Sequence, residues 1–114
     1  AYLVKVDSHG NMIWEKNLPG NSEANSIIQT NDGGYILVGK INNIFNQDNL
    51  WVTKIDNDGR VLWDKNYGGP GFEEGMSIDA ASFGGYVITG YLDSEGVGGD
   101  CWLMKIDENG NKMW

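Results

Sequence analysis

Few residues of this sequence could carry catalytic chemistry. The 114 residues include one histidine, His9, and one cysteine, Cys101. A single cysteine allows neither an internal disulfide nor a multi-cysteine zinc site. His9 falls in a polar turn, and no Ser/His/Asp or Cys/His set accompanies it. Cys101 stands where Leu50 stands one repeat earlier, so we expect a small buried hydrophobe there. The sequence therefore predicts no catalytic residue and no resident cofactor.

Three carboxylates occupy equivalent turns: Asp7, Asp56 and Asp107. The segment 56–59, Asp-Asn-Asp-Gly, is similar to the start of a calcium loop. A complete loop needs further oxygen ligands over about 12 residues, and the other two copies lack the second aspartate. We therefore interpret these aspartates as turn residues that accept backbone N–H bonds, with Ca²⁺ as the alternative. A lysine two positions before each aspartate (Lys5, Lys54 and Lys105) is expected to form a solvated pair with it.

The charge of the chain is strongly negative. Sixteen acidic against eight basic residues give a net charge of −8, which argues against a nucleic-acid partner. The segments 19–23, 42–49, 68–74 and 93–100 contain acidic residues and no lysine or arginine. They form a candidate binding face, with ordinary solvated surface as the alternative. Its candidate residues are Glu73, Glu74, Asp93, Glu95 and Asp100.

Five tryptophans recur at two repeat positions. Trp14, Trp63 and Trp114 each follow a turn aspartate by seven residues. Trp51 and Trp102 occupy the second position, where Tyr2 stands in the first copy. Stacking platforms for sugars would use such residues, but recurrence in every copy favours packing between repeats. Together with the turn aspartates, these tryptophans are predicted structural anchors.

An internal repeat must position all these residues. Segments 2–14, 51–63 and 102–114 share the pattern aromatic-x-x-Lys-(Val/Ile)-Asp-x-x-Gly-x-x-x-Trp, and their starts are 49 and 51 residues apart. Between them, segments 24–39 and 75–90 also match, with Gly-Gly-Tyr at 33–35 and 84–86. Such self-similarity indicates a repeat architecture.

Each repeat is predicted to be a four-stranded antiparallel meander. Stretches rich in Ile, Val, Leu and aromatic residues alternate with Gly-containing turns. In the complete unit the strands are expected near 24–30, 35–41, 50–56 and 60–67. No window has a helical period, and no apolar run is long enough to cross a membrane.

A radial array of four-stranded meanders is a β-propeller. The sequence thus predicts an all-β propeller segment of about two and a half blades. Residues 1–18 form a half blade, 21–67 a complete blade, and 72–114 a blade whose last strand is clipped. A parallel β-helix fits less well, because its repeats are much shorter.

The Asp-x-x-Gly-x-x-x-Trp pattern resembles the tryptophan-docking (PQQ-like) repeats of quinoprotein-dehydrogenase-like propellers. There the outer-strand tryptophan packs between blades, the place of Trp14, Trp63 and Trp114. The order of Trp63, Tyr67-Gly68-Gly69, Ser77-Ile78, Gly84-Gly85-Tyr86 and Trp102–Asp107 also resembles repeats of secreted or surface proteins of bacteria and archaea. Phe83 departs from that pattern, which has Asp at this position. The earlier copy keeps the aspartate, as Asp32.

The resemblance implies a non-catalytic scaffold or binding module of a secreted or cell-surface protein. One alternative is part of a quinoprotein-like enzyme whose active site lies in other blades; another is a carbohydrate-binding propeller. The expected partners are the remaining blades of a longer propeller chain or a larger assembly, without membrane insertion. We accordingly expect residues 1–114 alone to associate or aggregate rather than remain a stable monomer.

Overall fold

The computed structural model describes residues 1–45, 47–69, 71–93 and 98–114. These residues contain no helix and form nine strands, which confirms the expected all-β class. The strands are β1 (Tyr2–Val6), β2 (Met12–Asn17), β3 (Ser22–Gln29), β4 (Tyr35–Asn42), β5 (Asp48–Ile55), β6 (Val61–Tyr67), β7 (Phe72–Ala80), β8 (Tyr86–Asp93) and β9 (Asp100–Ile106).

The strands form three antiparallel sheets in chain order. Sheet 1 is the hairpin β1-β2, sheet 2 is β3-β4-β5-β6, and sheet 3 is β7-β8-β9. Every neighbouring pair is consecutive in sequence, so each sheet is a meander. β7 packs against β3, β4 and β5, which joins sheets 2 and 3.

Glycines with positive φ close the hairpins. Gly10, Gly59 and Gly110 have φ values of 82°, 81° and 77° at equivalent turns, a conformation that residues with a Cβ rarely adopt. Register shifts recur as well, between Ala24 and Ser26 in the β3–β4 ladder and between Gly75 and Ser77 in the β7–β8 ladder. Sheets 2 and 3 therefore repeat each other down to their bulges.

The two central strands of sheet 2, β4 and β5, are buried on both faces. Successive side chains of a strand point to opposite sides, and in β4 Ile36 and Val38 join a core with sheet 3 while Leu37 joins a core with sheet 1. In β5, Val52 faces sheet 3 and Trp51 faces sheet 1. These side chains are at most 1% exposed, and each fully buried one stabilises the fold by about 1.5–3 kcal/mol. This two-sided burial explains the near-continuous apolar runs of β4 and β5.

No helix in the described part of the chain is long and apolar enough to cross a membrane.

Candidate functional site

The three turn aspartates hold their own hairpins. Oδ1 of Asp56 accepts the backbone N–H groups of Asp58 and Arg60, each at 2.9 Å. Asp7 and Asp107 make the equivalent pairs of bonds. Hydrogen bonds from the Asn11 side chain and backbone lower the pKa of Asp7. Because backbone N–H groups occupy these carboxylates, the aspartates act in the structure as turn residues.

Two of the anchor tryptophans join neighbouring sheets. Trp14 Nε1 donates to the backbone oxygen of Asn57 at 2.9 Å, and Trp63 Nε1 donates to that of Glu108 at 3.2 Å. Each acceptor directly follows a turn aspartate in the next sheet. A Cβ at Gly59 would lie 3.3 Å from the Trp14 ring, so glycine lets the ring approach the turn. Both contacts run from one sheet to the next sheet in the chain.

Two members of the second aromatic set form hydrogen bonds within their own sheets. Trp51 is 1% exposed, and its indole N–H donates to Asp64. The Tyr2 hydroxyl likewise donates to Glu15 in sheet 1. Trp102 departs from this arrangement, because its Nε1 is buried and has no hydrogen-bond partner among the residues that the structure describes. Trp114 is 56% exposed.

A polar cavity of about 330 Å³ lies between the turns that precede β4 and β8. Lys54 lines it and is only 8% exposed; its Nζ lies 2.6 Å from Oδ2 of Asp32. The expectation that Lys54 would form a solvated pair with Asp56 is wrong. Lys54 is buried, and its ammonium pairs instead with Asp32 in the turn before β4. The Lys54 and Thr30 hydrogen bonds, with that of the Gly34 N–H, hold the pKa of Asp32 well below its usual range.

Glu108 takes the place of Asp32 on the other side of this cavity. The Gly34 N–H donates to Asp32 Oδ1 at 3.1 Å, and the Gly85 N–H donates to Glu108 Oε1 at 2.9 Å. Phe83, which stands at the Asp32 position, is 98% exposed. The Tyr86 hydroxyl donates to Glu108 Oε2 at 2.9 Å, and burial together with this bond raises the pKa of Tyr86. A carboxylate thus caps both turns, but from different sequence positions.

The candidate acidic face contains a lysine that sequence reasoning missed. Lys40 Nζ lies 3.3 Å from Asp48 and 3.8 Å from both Glu23 and Glu74. Burial lowers the pKa of Lys40, but its hydrogen bond to Asp48 and the nearby negative charges outweigh burial and raise the pKa. Lys40 precedes the loop 42–49. The β3–β4 ladder places it opposite Glu23, while Asp48 reaches it from β5 and Glu74 from β7.

Among the candidates of this face that the structure describes, only Glu74 forms an ion pair with Lys40. Glu73 is partly buried, and within the described part of the chain its Oε2 has no hydrogen-bond partner. Asp93 ends β8 and Asp100 begins β9. Glu95 lies outside the described residues. No group of three potential metal-ligating side chains occurs among the residues that the structure describes.

The single histidine and cysteine are separate surface residues. His9 is exposed and contacts Ser8 at 3.3 Å. Cys101 is exposed, so its expected burial is wrong. Leu50, its counterpart, is covered by sheet 3, whereas no described sheet covers the equivalent face of β9.

Calcium is expected not to raise the melting temperature of this protein. The Lys40 ammonium lies within 3.8 Å of Glu23, Asp48 and Glu74 and offsets one of their three negative charges, so a divalent cation would have to compete with it for the same oxygens. In Lys40→Met the three carboxylates lose this internal counter-ion, and millimolar CaCl₂ should then raise the Tm by linkage to the folded state. Differential scanning calorimetry with CaCl₂ or EDTA checks both proteins. A calcium-dependent rise in the wild type that is lost in a Glu73→Lys/Glu74→Lys variant would instead favour the cation site.

No protein-family model matches the sequence, and no curated protein is significantly similar to it.

Proposed function

We propose that this chain is a β-propeller segment that serves as a non-catalytic scaffold or binding module of a secreted or cell-surface protein. Its partners would be further blades of the same propeller or a larger assembly. The repeat length and the four-stranded meander of sheet 2 support this architecture. The inventory of side chains, with its lone exposed cysteine and lone exposed histidine, favours a non-catalytic role.

One observation carries the proposal: the tryptophan contact between consecutive sheets repeats with the same direction. Trp14 reaches the turn of sheet 2, and Trp63 reaches the equivalent turn of sheet 3. Both bonds end one residue after a turn aspartate. A contact that recurs between equivalent positions relates each sheet to the next by a similar rotation. The blades of a propeller ring are related to each other in this way.

Tandem arrays of the complete unit test the propeller. Residues 21–71 form one 51-residue period, and arrays of about four to eight copies span the usual blade numbers. A closed ring requires one particular copy number, so we expect one array to be monomeric with a Tm well above those of its shorter and longer neighbours. Sedimentation and calorimetry measure both properties. A Tm that rises smoothly with copy number would instead indicate an open solenoid.

A carbohydrate-binding module is the second candidate. Trp102, Trp114 and Tyr67 line a cavity of about 340 Å³ together with Glu73, and aromatic faces beside a carboxylate suit a hydroxylated ring. A glycan array distinguishes this candidate from a scaffold. The enzyme alternative, with an active site in other blades, predicts a quinone absorbance and a calcium requirement in the protein that contains them.

A further inference from the structure

The polar cavity between sheets 2 and 3 lies at the opposite end of the strands from Lys40 and its three carboxylates. Gln29 pairs with Tyr35 at the cavity end of the β3–β4 ladder, and Ser22 pairs with Ile41 at the other end. The cavity volume of about 330 Å³ is within the range of small-ligand pockets. Its walls belong to two sheets that pack against each other through β7, so the packing of the fold itself forms the cavity.

A buried ammonium group lines this cavity. Lys54 is 8% exposed, and its Nζ donates to Oδ2 of Asp32 at 2.6 Å. An ammonium group carries three N–H donors, and no other residue that the structure describes accepts one from Lys54. Because a buried donor without an acceptor is costly, Lys54 favours a ligand that brings an oxygen acceptor into the cavity.

Glu108 supplies acceptors on the other side of the cavity. Its Oε1 accepts the Gly85 N–H and its Oε2 accepts the Tyr86 O–H, both at 2.9 Å. A carboxylate offers about four lone-pair sites, so each oxygen can accept a further bond. Asp32 has Lys54 as a counter-ion, whereas no lysine or arginine in the described part of the chain pairs with Glu108. The Glu108 side therefore favours a ligand with positively charged N–H donors.

The two sides of the cavity together select one class of ligand. A simple anion would be repelled by Asp32 and Glu108, and a metal ion would be repelled by the Lys54 ammonium. A hydroxyl group suits Lys54, because its oxygen accepts a bond while its O–H donates to a neighbouring carboxylate. A primary ammonium group suits Glu108, because hydrogen bonds between charged groups are the stronger ones.

We propose that this cavity binds a small polyol that carries one primary ammonium group, as an amino sugar does. Its hydroxyl oxygens accept the remaining Lys54 N–H groups, and its ammonium group donates to Glu108. The site is separate from the aromatic cavity that Trp102 lines. This inference rests on the binding-module part of the proposed function, to which it gives a ligand class. It does not rest on the propeller architecture, which the tandem arrays test independently.

Titration of the full chain with glucosamine and with glucose tests the proposal, at slightly acidic pH where the glucosamine amine is protonated. The two sugars differ at one position, which carries an ammonium group in glucosamine and a hydroxyl in glucose. Both should shift the backbone amide NMR signals of Gly34 and Gly85, whose N–H groups bond the two carboxylates, and leave that of Asn42 at the other end unchanged. We expect glucose to bind about fivefold more weakly, as for the loss of an exposed ion pair.

Two variants separate the roles of the two sides. Glu108→Gln keeps an acceptor and removes the charge, so the two sugars should then bind equally. Lys54→Met should weaken the binding of glucose by about tenfold, because bonds from a charged donor are lost and a neutral sugar does not respond directly to the changed charge. Lys105→Met is the matched control, since Lys105 is the repeat counterpart of Lys54 and lies outside the cavity. It should leave both affinities unchanged.

Saturation transfer from the protein to the sugar protons measures the same affinities when the chain associates. A preference for glucosamine that persists in Glu108→Gln would overturn the role of Glu108, and glucose binding that survives in Lys54→Met would overturn that of Lys54. Unchanged signals of Gly34 and Gly85 with both sugars would overturn the site. An equal shift at Asn42 would also overturn it, because the amine would then be attracted non-specifically to a chain of net charge −8.

Discussion

Replacement of Trp63 by alanine is expected to lower the free energy of unfolding by about 3 kcal/mol, as for other large aromatic truncations in a core. The Trp63 ring packs against the core that sheets 2 and 3 share. Its indole N–H joins the sheets through Glu108, and the ring covers Gly110, where a Cβ would lie 2.9 Å away. Urea unfolding followed by circular dichroism measures the loss.

Arg60→Ala is the matched control, from the same hairpin. The Arg60 side chain is 77% exposed, and its contacts with Asp56 and Asp58 are long, at 4.0 Å each. Exposed ion pairs of this kind contribute under about 1 kcal/mol. Similar unfolding midpoints for the two variants would mean that Trp63 does not hold the sheets together.

Asp32→Ala is expected to lower the free energy of unfolding by about 2 kcal/mol, which is more than the loss expected from Lys54→Met. The alanine leaves Lys54, which is 8% exposed, without its partner carboxylate. Removing the exposed partner of such a pair leaves an uncompensated buried charge, which is destabilising. Lys54→Met removes the buried charge instead and leaves Asp32, whose side chain is 52% exposed, to be hydrated. We therefore expect a loss of under about 1 kcal/mol from Lys54→Met, and the reverse order in chemical denaturation would contradict the burial argument.

The same pair predicts a pH dependence. Lys54, Thr30 and Gly34 depress the pKa of folded Asp32, whereas the unfolded chain has the ordinary value of about 3.9. A depressed carboxyl pKa stabilises the fold fully above the unfolded value, and this stabilisation is lost as the pH falls through the folded value. The difference in unfolding free energy between the wild type and Asp32→Asn should therefore shrink below about pH 4, and a constant difference down to pH 2 would contradict it.

The strands and turns could be predicted because their signals are local. The expected strand at 35–41 compares with Tyr35–Asn42 in the structure, and that at 60–67 with Val61–Tyr67. Side-chain alternation and turn glycines identify each strand from residues that are close together in the chain, and the repeat supports the same assignment in the next unit. The turn role of Asp56 follows from the same short range, because its bonds reach no further than Arg60.

The Lys54 pair could not be predicted in this way. Strand periodicity places Lys54 and Asp56 on the same face, but the partner, Asp32, is 22 positions away. It comes close because Tyr35 pairs with Ile55, which sets the turn before β4 beside the end of β5. Cys101 shows the same limit. Its counterpart Leu50 is buried by another sheet, whereas Cys101 is exposed, because equivalent positions in a repeat need not have equivalent neighbouring sheets.

The unequal origin of the two turn caps restricts how repeats of this kind can be inherited. Sheet 2 carries Asp32 with Asn57, whereas sheet 3 carries Phe83 with Glu108. Recombination that transferred only the hairpin after β5 or β9 would produce a unit with two carboxylates or with none. With none, the N–H that Glu108 accepts in sheet 3 would lose its acceptor. Exchange of whole 51-residue units keeps each cap with its own turn, whereas a crossover between the turn before β4 and the hairpin after β5, or at the equivalent place in sheet 3, separates the two parts of a cap.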